Sequence, residues 1–247
     1  MNYKKRGISH VEVVLSFIIF ISFLTFLFLF FNPIKTIKNN PLFLDVVERE
    51  IKKNVSTNFS ILTLKLDDPP SSNNPPKLCF YFTYDSDLGN VTVKKMIQDN
   101  YEEVQAYSKD IGNGRKKIYI NDANNNFFYL YFSPSFNENE FAGVNCLKYK
   151  KEEYSLGLLR SYVAESYDKL IELNNTYYRN YNELKNLFKI PNSIDFSFSV
   201  RDSLGNNIIS ARKEIKRKTN VFSKDSNIKI LYNNGTIKYA ILNVQVW

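Results

Sequence analysis

Residues 13–31 read VVLSFIIFISFLTFLFLFF, an unbroken run without a charged side chain. Only Ser16, Ser22 and Thr25 interrupt its apolar character. As an α-helix this run would be about 28 Å long, close to the thickness of the hydrocarbon core of a bilayer. The sequence therefore predicts a transmembrane helix, which we place at residues 8–31.

The alternative for this run is a cleaved secretory signal. Such a signal has an apolar stretch of roughly 7–15 residues that is followed by small residues at the cleavage site. The run here is longer, and residues 31–35 contain no pair of small residues. Retention in the membrane is therefore favoured. Because Lys4, Lys5 and Arg6 precede the run, we expect a cytoplasmic N-terminus and an extracellular domain after it.

Glu12 lies one residue before the uncharged run. An acidic residue at the centre of a bilayer costs roughly 2.5–3.5 kcal/mol on insertion scales, so this carboxylate requires an explanation. One explanation is a side chain that reaches back to the membrane interface. The other is a charged partner within the membrane, and the residues before Glu12 bear on that choice.

The stretch KKRGISHVE at residues 4–12 resembles the cleavage region of type IV prepilins and pseudopilins. In that family a membrane peptidase cuts after the Gly that ends a short basic leader, and a Glu is the fifth residue of the mature chain. The resemblance implies a leader at residues 1–7, a cut between Gly7 and Ile8, and Glu12 as that Glu. It also implies three partners: membrane lipid, a prepilin-type peptidase and other pilin-like subunits. The C-terminal third is loosely similar to archaeal pilin-like proteins.

Within this resemblance, Glu12 would set the register of assembly. The cut would free an α-amine at Ile8, which is largely cationic at neutral pH. Pairing with the amine of a neighbouring subunit would offset the cost of a carboxylate in lipid. Ser9, Glu12 and Ser16 share one helical face, since they are three and four residues apart, and they form a polar ridge that could meet another helix.

The remaining residues predict an α+β architecture with an extracellular β-rich domain. Residues 32–55 fit a juxtamembrane linker and a short helix from Pro41 to about Asn54, with Leu42, Val46, Val47 and Ile51 on its apolar face. Residues 56–150 predict a sandwich-like β-rich subdomain, with strands at 59–66, 78–84, 91–96, 116–120, 127–132 and 144–149.

Residues 151–247 predict an α+β subdomain. Apolar residues at helical spacing favour a helical insertion over 155–188, with a break near residues 174–176. Strands are predicted at 194–200, 208–212, 227–232 and 236–246. The Asn233-Asn234-Gly235 sequence between the last two indicates a C-terminal β-hairpin.

Two kinds of covalent feature are predicted for the extracellular portion. Cys79 and Cys146 could form a disulfide in an oxidising exterior, and the alternative is two buried small apolar side chains. N-x-[ST] acceptors for glycosylation, in about the number expected by chance, occur at Asn54, Asn58, Asn90, Asn174 and Asn234.

Several kinds of chemistry lack sequence support. One His excludes His₂ and His₃ metal sites, and two Cys exclude iron–sulfur and Cys₄ zinc sites within one chain. No phosphate-binding or dinucleotide-binding glycine motif occurs. Residues 85–90 fail the calcium-loop pattern and predict a turn. The basic run at 212–218 is interpreted as a solvated loop or strand edge rather than a nucleic-acid site.

We therefore expect no enzyme activity, no catalytic residue, no metal and no cofactor. The predicted function is that of a pilin-like structural subunit of a cell-surface filament or secretion-type pseudopilus. The alternative is a monomeric, single-pass anchored domain with a binding or adhesive role. An anchored hydrolase would need a pair of carboxylates in a cleft, which a single sequence does not identify.

Overall fold

The computed structural model of the chain describes residues 10–30, 40–67, 78–83, 88–97, 100–112, 114–121, 125–137, 146–215 and 219–247. The chain divides into two compact units, one ending at Pro41 and the other running from Leu42 to Trp247. Helix α1 spans His10–Phe30 in the first unit. The architecture is α+β, with one apolar N-terminal helix and a β-rich domain, as the sequence predicts.

Helix α2 spans Asn40–Val55, close to the predicted bounds. Its buried apolar residues are Leu44, Val47, Ile51 and Val55, which form a stripe at spacings of three and four. The predicted apolar face was wrong at Leu42, whose side chain is 64% exposed. The buried stripe begins at Leu44, and Leu42 lies outside it. The helix is part of the domain core.

The other described elements are strands β1 to β14, two further α-helices and a short 3₁₀ helix at Lys151–Glu153. In chain order the strands are Ser56–Leu66, Leu78–Thr83, Asn90–Ile97, Asn100–Val104, Ala106–Gly112, Arg115–Ile120, Phe127–Ser133, Leu147–Lys148, Tyr154–Leu156, Arg160–Ser166, Phe196–Asp202, Asn207–Ala211, Phe222–Leu231 and Ile237–Val246. Helices α3 and α4 span Tyr167–Arg179 and Tyr181–Leu187.

Two sheets organise the domain. The larger, of ten strands, has the order β12-β11-β14-β13-β10-β1-β7-β3-β4, with β9 paired to β1. The smaller, of four strands, has the order β5-β6-β2-β8. The predicted subdomains at 56–150 and 151–247 therefore share the larger sheet, because β1 pairs antiparallel with β10.

The core contains two large apolar clusters. One lies among β1 to β7 and β9 and takes residues from both sheets. The other buries α2, α3 and α4 against β11 to β14. The last two strands form the predicted hairpin, with register Leu231↔Ile237 next to the turn.

The predicted helix over 155–188 was wrong in its first third. Residues 154–156 and 160–166 are strands β9 and β10, which pair with β1. Side chains also favour this pairing, since Phe59 stacks on Tyr162 and the Ser60 and Ser161 hydroxyls lie 2.8 Å apart. The helix starts only after Ser166, whose hydroxyl accepts a hydrogen bond from the Lys169 N–H as an N-cap.

Strands β4 and β5 were not predicted, because their sequences are mostly polar. The pairing of β4 with β3 is electrostatic in part, because Lys94 and Lys95 of β3 lie opposite Glu103 and Glu102 of β4. The Lys95 and Glu102 side chains form an ion pair at 3.3 Å. Opposite charges at facing positions stabilise a pair of strands without an apolar pattern in the sequence.

Candidate membrane and assembly segment

Helix α1 is the candidate membrane-spanning segment among the described residues. Its window His10–Phe28 has a mean hydropathy of 2.5, and none of that window is buried. Large apolar side chains are open to the surroundings, and Phe28 for example is 74% exposed. The helix is long and apolar enough to cross a bilayer. It is consistent with a single membrane span.

The polar groups of α1 are few. Glu12 lies in its first turn and Ser16 one turn later, both with exposed side chains on the same helical face. Thr25 donates its hydroxyl to the Ile21 carbonyl at 2.8 Å, so that polar group is satisfied within the helix. Gly7, Ile8 and Ser9, the other residues predicted for processing and assembly, lie outside the described residues.

The structure joins Cys79 and Cys146 in a disulfide, with Cα atoms 5.7 Å apart. Cys79 belongs to β2, and Cys146 directly precedes β8, which pairs with β2. Beyond the bond, the Tyr149 N–H donates to the Cys79 carbonyl at 3.1 Å. The disulfide therefore fastens the segment from Cys146 to Tyr149 along the edge of the smaller sheet.

The predicted glycosylation acceptors differ in accessibility. Asn54, Asn58 and Asn234 are exposed. Asn90 is half-buried and donates its amide to the Phe136 carbonyl at 2.9 Å. Asn174 has a buried amide oxygen with no hydrogen-bond partner. The first three positions are therefore exposed, whereas Asn90 and Asn174 are half-buried.

An ionic cluster connects α2 with β13. The Lys224 ammonium lies 2.7 Å from Asp45 and 2.8 Å from Glu48, and Lys52 also contacts Glu48 at 2.6 Å. Burial alone would raise the pKa of Glu48. The hydrogen bonds from Lys224 and Lys52 outweigh it and lower that pKa to about 2. The cluster holds the helix against the hairpin.

A second polar cluster centres on Asp195. Its carboxylate contacts Lys185 at 3.3 Å, Lys213 at 3.0 Å and the Tyr181 hydroxyl at 3.1 Å. Burial would raise the pKa of Asp195, but the hydrogen bonds from Lys213 and Tyr181 lower it overall. The Asp195 backbone also exchanges two hydrogen bonds with Trp247. This cluster ties α4 to the end of the chain.

The remaining sequence predictions concern segments of which the structure describes only a part. Lys213 belongs to the predicted basic run, and residues 216–218 of that run lie outside the described residues, as do residues 85–87 of the predicted turn. Among the described residues, no group of three or more His, Cys, Asp or Glu side chains is placed to hold a metal ion.

Comparisons with models of known protein families, with curated protein sequences and with solved structures find no match to this chain. The sequence and fold define its class: an α+β protein whose apolar N-terminal helix can cross a membrane and whose other unit is a β-rich domain.

Proposed function

We propose that the chain is a pilin-like structural subunit of a cell-surface filament or secretion-type pseudopilus. Its N-terminus lies in the cytoplasm, a prepilin-type peptidase removes residues 1–7, and the β-rich domain is displayed outside the cell. The observation that carries this proposal is one acidic residue, Glu12, at the start of an otherwise uncharged helix and five positions after a basic leader ending in Gly7.

The position of Glu12 on α1 supports assembly through this helix. In lipid, apolar side chains give helices little driving force to associate, because the lipid tails are equally apolar. A carboxylate is different, since its cost in the bilayer falls when a cation pairs with it. Glu12 and the free amine of Ile8 in a neighbouring subunit would form such a pair. This pair would stabilise side-by-side packing of the two helices in one register.

The second unit supports a displayed domain. Helix α2 follows α1 along the chain and packs its apolar stripe into the core against β11 to β14. A disulfide between Cys79 and Cys146 suits a domain in an oxidising exterior.

The test compares Glu12→Gln with wild type in the native host. We expect Glu12→Gln to reach the membrane and lose its leader but to yield no chemically cross-linked ladder of subunits. The matched control is Ser22→Ala, a small change elsewhere on α1, which should cross-link like wild type. Equal ladders for wild type and Glu12→Gln would contradict register setting by Glu12. The absence of ladders from wild type would favour the monomeric anchored domain.

A further inference from the structure

A cleft of about 580 Å³ lies along the edge of β2 in the smaller sheet. One side is formed by residues of β2 and β6, and the other by the segment that follows β8. Its polar and aromatic lining residues are Tyr81, Thr83, Arg115, Tyr149, Lys151 and Tyr154. The volume is within the range of roughly 300–1,000 Å³ that is typical of small-ligand sites.

The cleft carries unpaired positive charge. Arg115 and Lys151 are exposed, and neither side chain has a hydrogen bond or ion pair within the described part of the chain. Lys117 does not line the cleft; its ammonium lies over the rings of Tyr119 and Tyr81, at 4.4 Å and 5.3 Å. Among the described residues, the acids near Lys151 are Glu152, which is exposed, Glu153, whose carboxylate accepts the Lys150 N–H at 2.8 Å, and Asp67, whose N–H donates to the Glu153 carbonyl at 3.2 Å.

One wall of the cleft is held in place by packing, a disulfide and a hydrogen bond. Tyr149 and Tyr154 pack their rings on Phe80, each with centroids 5.3 Å apart, and each tyrosine is only 8% exposed. The disulfide at Cys79 and the hydrogen bond from Tyr149 to its carbonyl hold this wall against β2. A wall held in place reduces the entropy that is lost when a ligand binds.

The backbone edge of β2 is partly closed to strand addition. The Cys79 carbonyl points to this edge, since it accepts the Tyr149 N–H. Carbonyls alternate in direction along a strand, so Tyr81 presents the next one on the same edge. That carbonyl already accepts the Tyr154 hydroxyl at 2.7 Å. A ligand would therefore be recognised by side chains rather than by pairing as an added strand.

We propose that this cleft binds an acidic oligosaccharide, a chain of sugars that carry carboxylate or sulfate groups. Arg115 and Lys151 complement the anionic groups, and Arg can hold a carboxylate or sulfate with two parallel hydrogen bonds. The Tyr81 and Thr83 hydroxyls suit the hydroxyls of sugars. Single-stranded nucleic acid fits less well, because stacking needs open ring faces and Tyr149 and Tyr154 are nearly buried. The proposal does not depend on filament assembly.

The test uses the full-length chain purified in detergent and a fluorescein-labelled hexamer of galacturonic acid, with binding followed by fluorescence anisotropy. We expect saturable binding that weakens as salt is raised. Arg115→Gln combined with Lys151→Gln should weaken binding by about tenfold or more. Lys53→Gln makes a similar charge change on an exposed position of α2 and should leave binding within about twofold.

Competing ligands and a conservative variant separate the alternatives. A neutral cellohexaose should not compete, and Arg115→Lys should bind more weakly than wild type but better than Arg115→Gln. Circular dichroism checks that each variant is folded. The proposal is overturned if the acidic hexamer fails to bind wild type, or if the double substitution weakens binding no more than Lys53→Gln. It is also overturned if oligothymidylate or a poly-glutamate peptide binds more tightly with the same dependence on Arg115.

Discussion

At the scale of single residues, Gly235 determines whether the C-terminal hairpin can close. Its φ is +69°, and a Cβ there would lie 2.6 Å from the Thr92 side chain and 3.2 Å from Tyr131. Gly235→Ala should therefore cost about 2 kcal/mol of unfolding free energy, from backbone strain and crowding together. Gly205→Ala is the control, because its φ is +86° but no atom lies within 4 Å. It should cost about 1 kcal/mol, measured by urea unfolding with Trp247 fluorescence.

Two adjacent tyrosines test the value of a buried hydroxyl. Tyr177 is buried and donates to the Phe196 carbonyl at 2.6 Å. Tyr178 is exposed and donates to the Ser210 carbonyl at 2.8 Å. Tyr177→Phe should lower the unfolding free energy by about 1–2 kcal/mol, because the Phe196 carbonyl loses the hydrogen bond that the Tyr177 hydroxyl donates. Tyr178→Phe should lower it by less than about 0.5 kcal/mol. Equal losses would contradict this assignment.

Glu48 makes stability depend on pH in the acid range. The pKa of Glu48 is lowered to about 2 in the fold, from an ordinary value of 4.5. A lowered pKa stabilises the fold above the unfolded value, and this contribution disappears as the pH falls from about 5 towards 2. We expect it to amount to about 1–2 kcal/mol after allowance for solvent screening.

Glu48→Gln removes this titration. The variant should be less stable than wild type at pH 6, and the difference should shrink towards pH 2. Urea unfolding at several pH values measures it. Glu172→Gln, on an exposed position of α3, is the matched control and should follow the wild-type profile. A constant difference between wild type and Glu48→Gln at every pH would contradict the lowered pKa.

At the scale of elements, the disulfide should contribute substantially to stability. It joins residues 67 apart in sequence, and in the chain-entropy model a loop of that size gives about 4 kcal/mol. Reduction followed by alkylation, or Cys79→Ser with Cys146→Ser, should lower the unfolding midpoint in urea. Intact mass after alkylation without reductant should show no modified cysteine. Labelling of both thiols in the native protein would contradict the bond.

The elements also show where sequence reasoning was sufficient. The C-terminal hairpin followed from Asn-Gly chemistry, and α2 followed from helical spacing, although its packed face was misplaced at Leu42. The helix predicted over residues 155–166 was wrong because the apolar residues there fit a helix as well as a strand. Only the pairing with β1 decides between the two. Strands β4 and β5 lacked an apolar pattern altogether.

At the scale of the whole molecule, the two candidate sites differ in how far they can be read from sequence. Glu12 and the basic leader are close together in the sequence, so the sequence alone identifies them as one motif. The cleft takes Tyr81, Arg115 and Lys151 from three separate segments. Only the tertiary fold brings these three residues together, and no spacing in the sequence predicts that they are close.

The central claim is that the chain is processed and assembled as a pilin-like subunit. The most direct test is the intact mass and first residue of the native protein extracted from membranes. We predict a mature chain that begins at Ile8, lighter than the full chain by residues 1–7. A terminus at Met1 or Asn2 would contradict prepilin-type processing, and a terminus beyond Phe31 would show that α1 is a cleaved secretion signal.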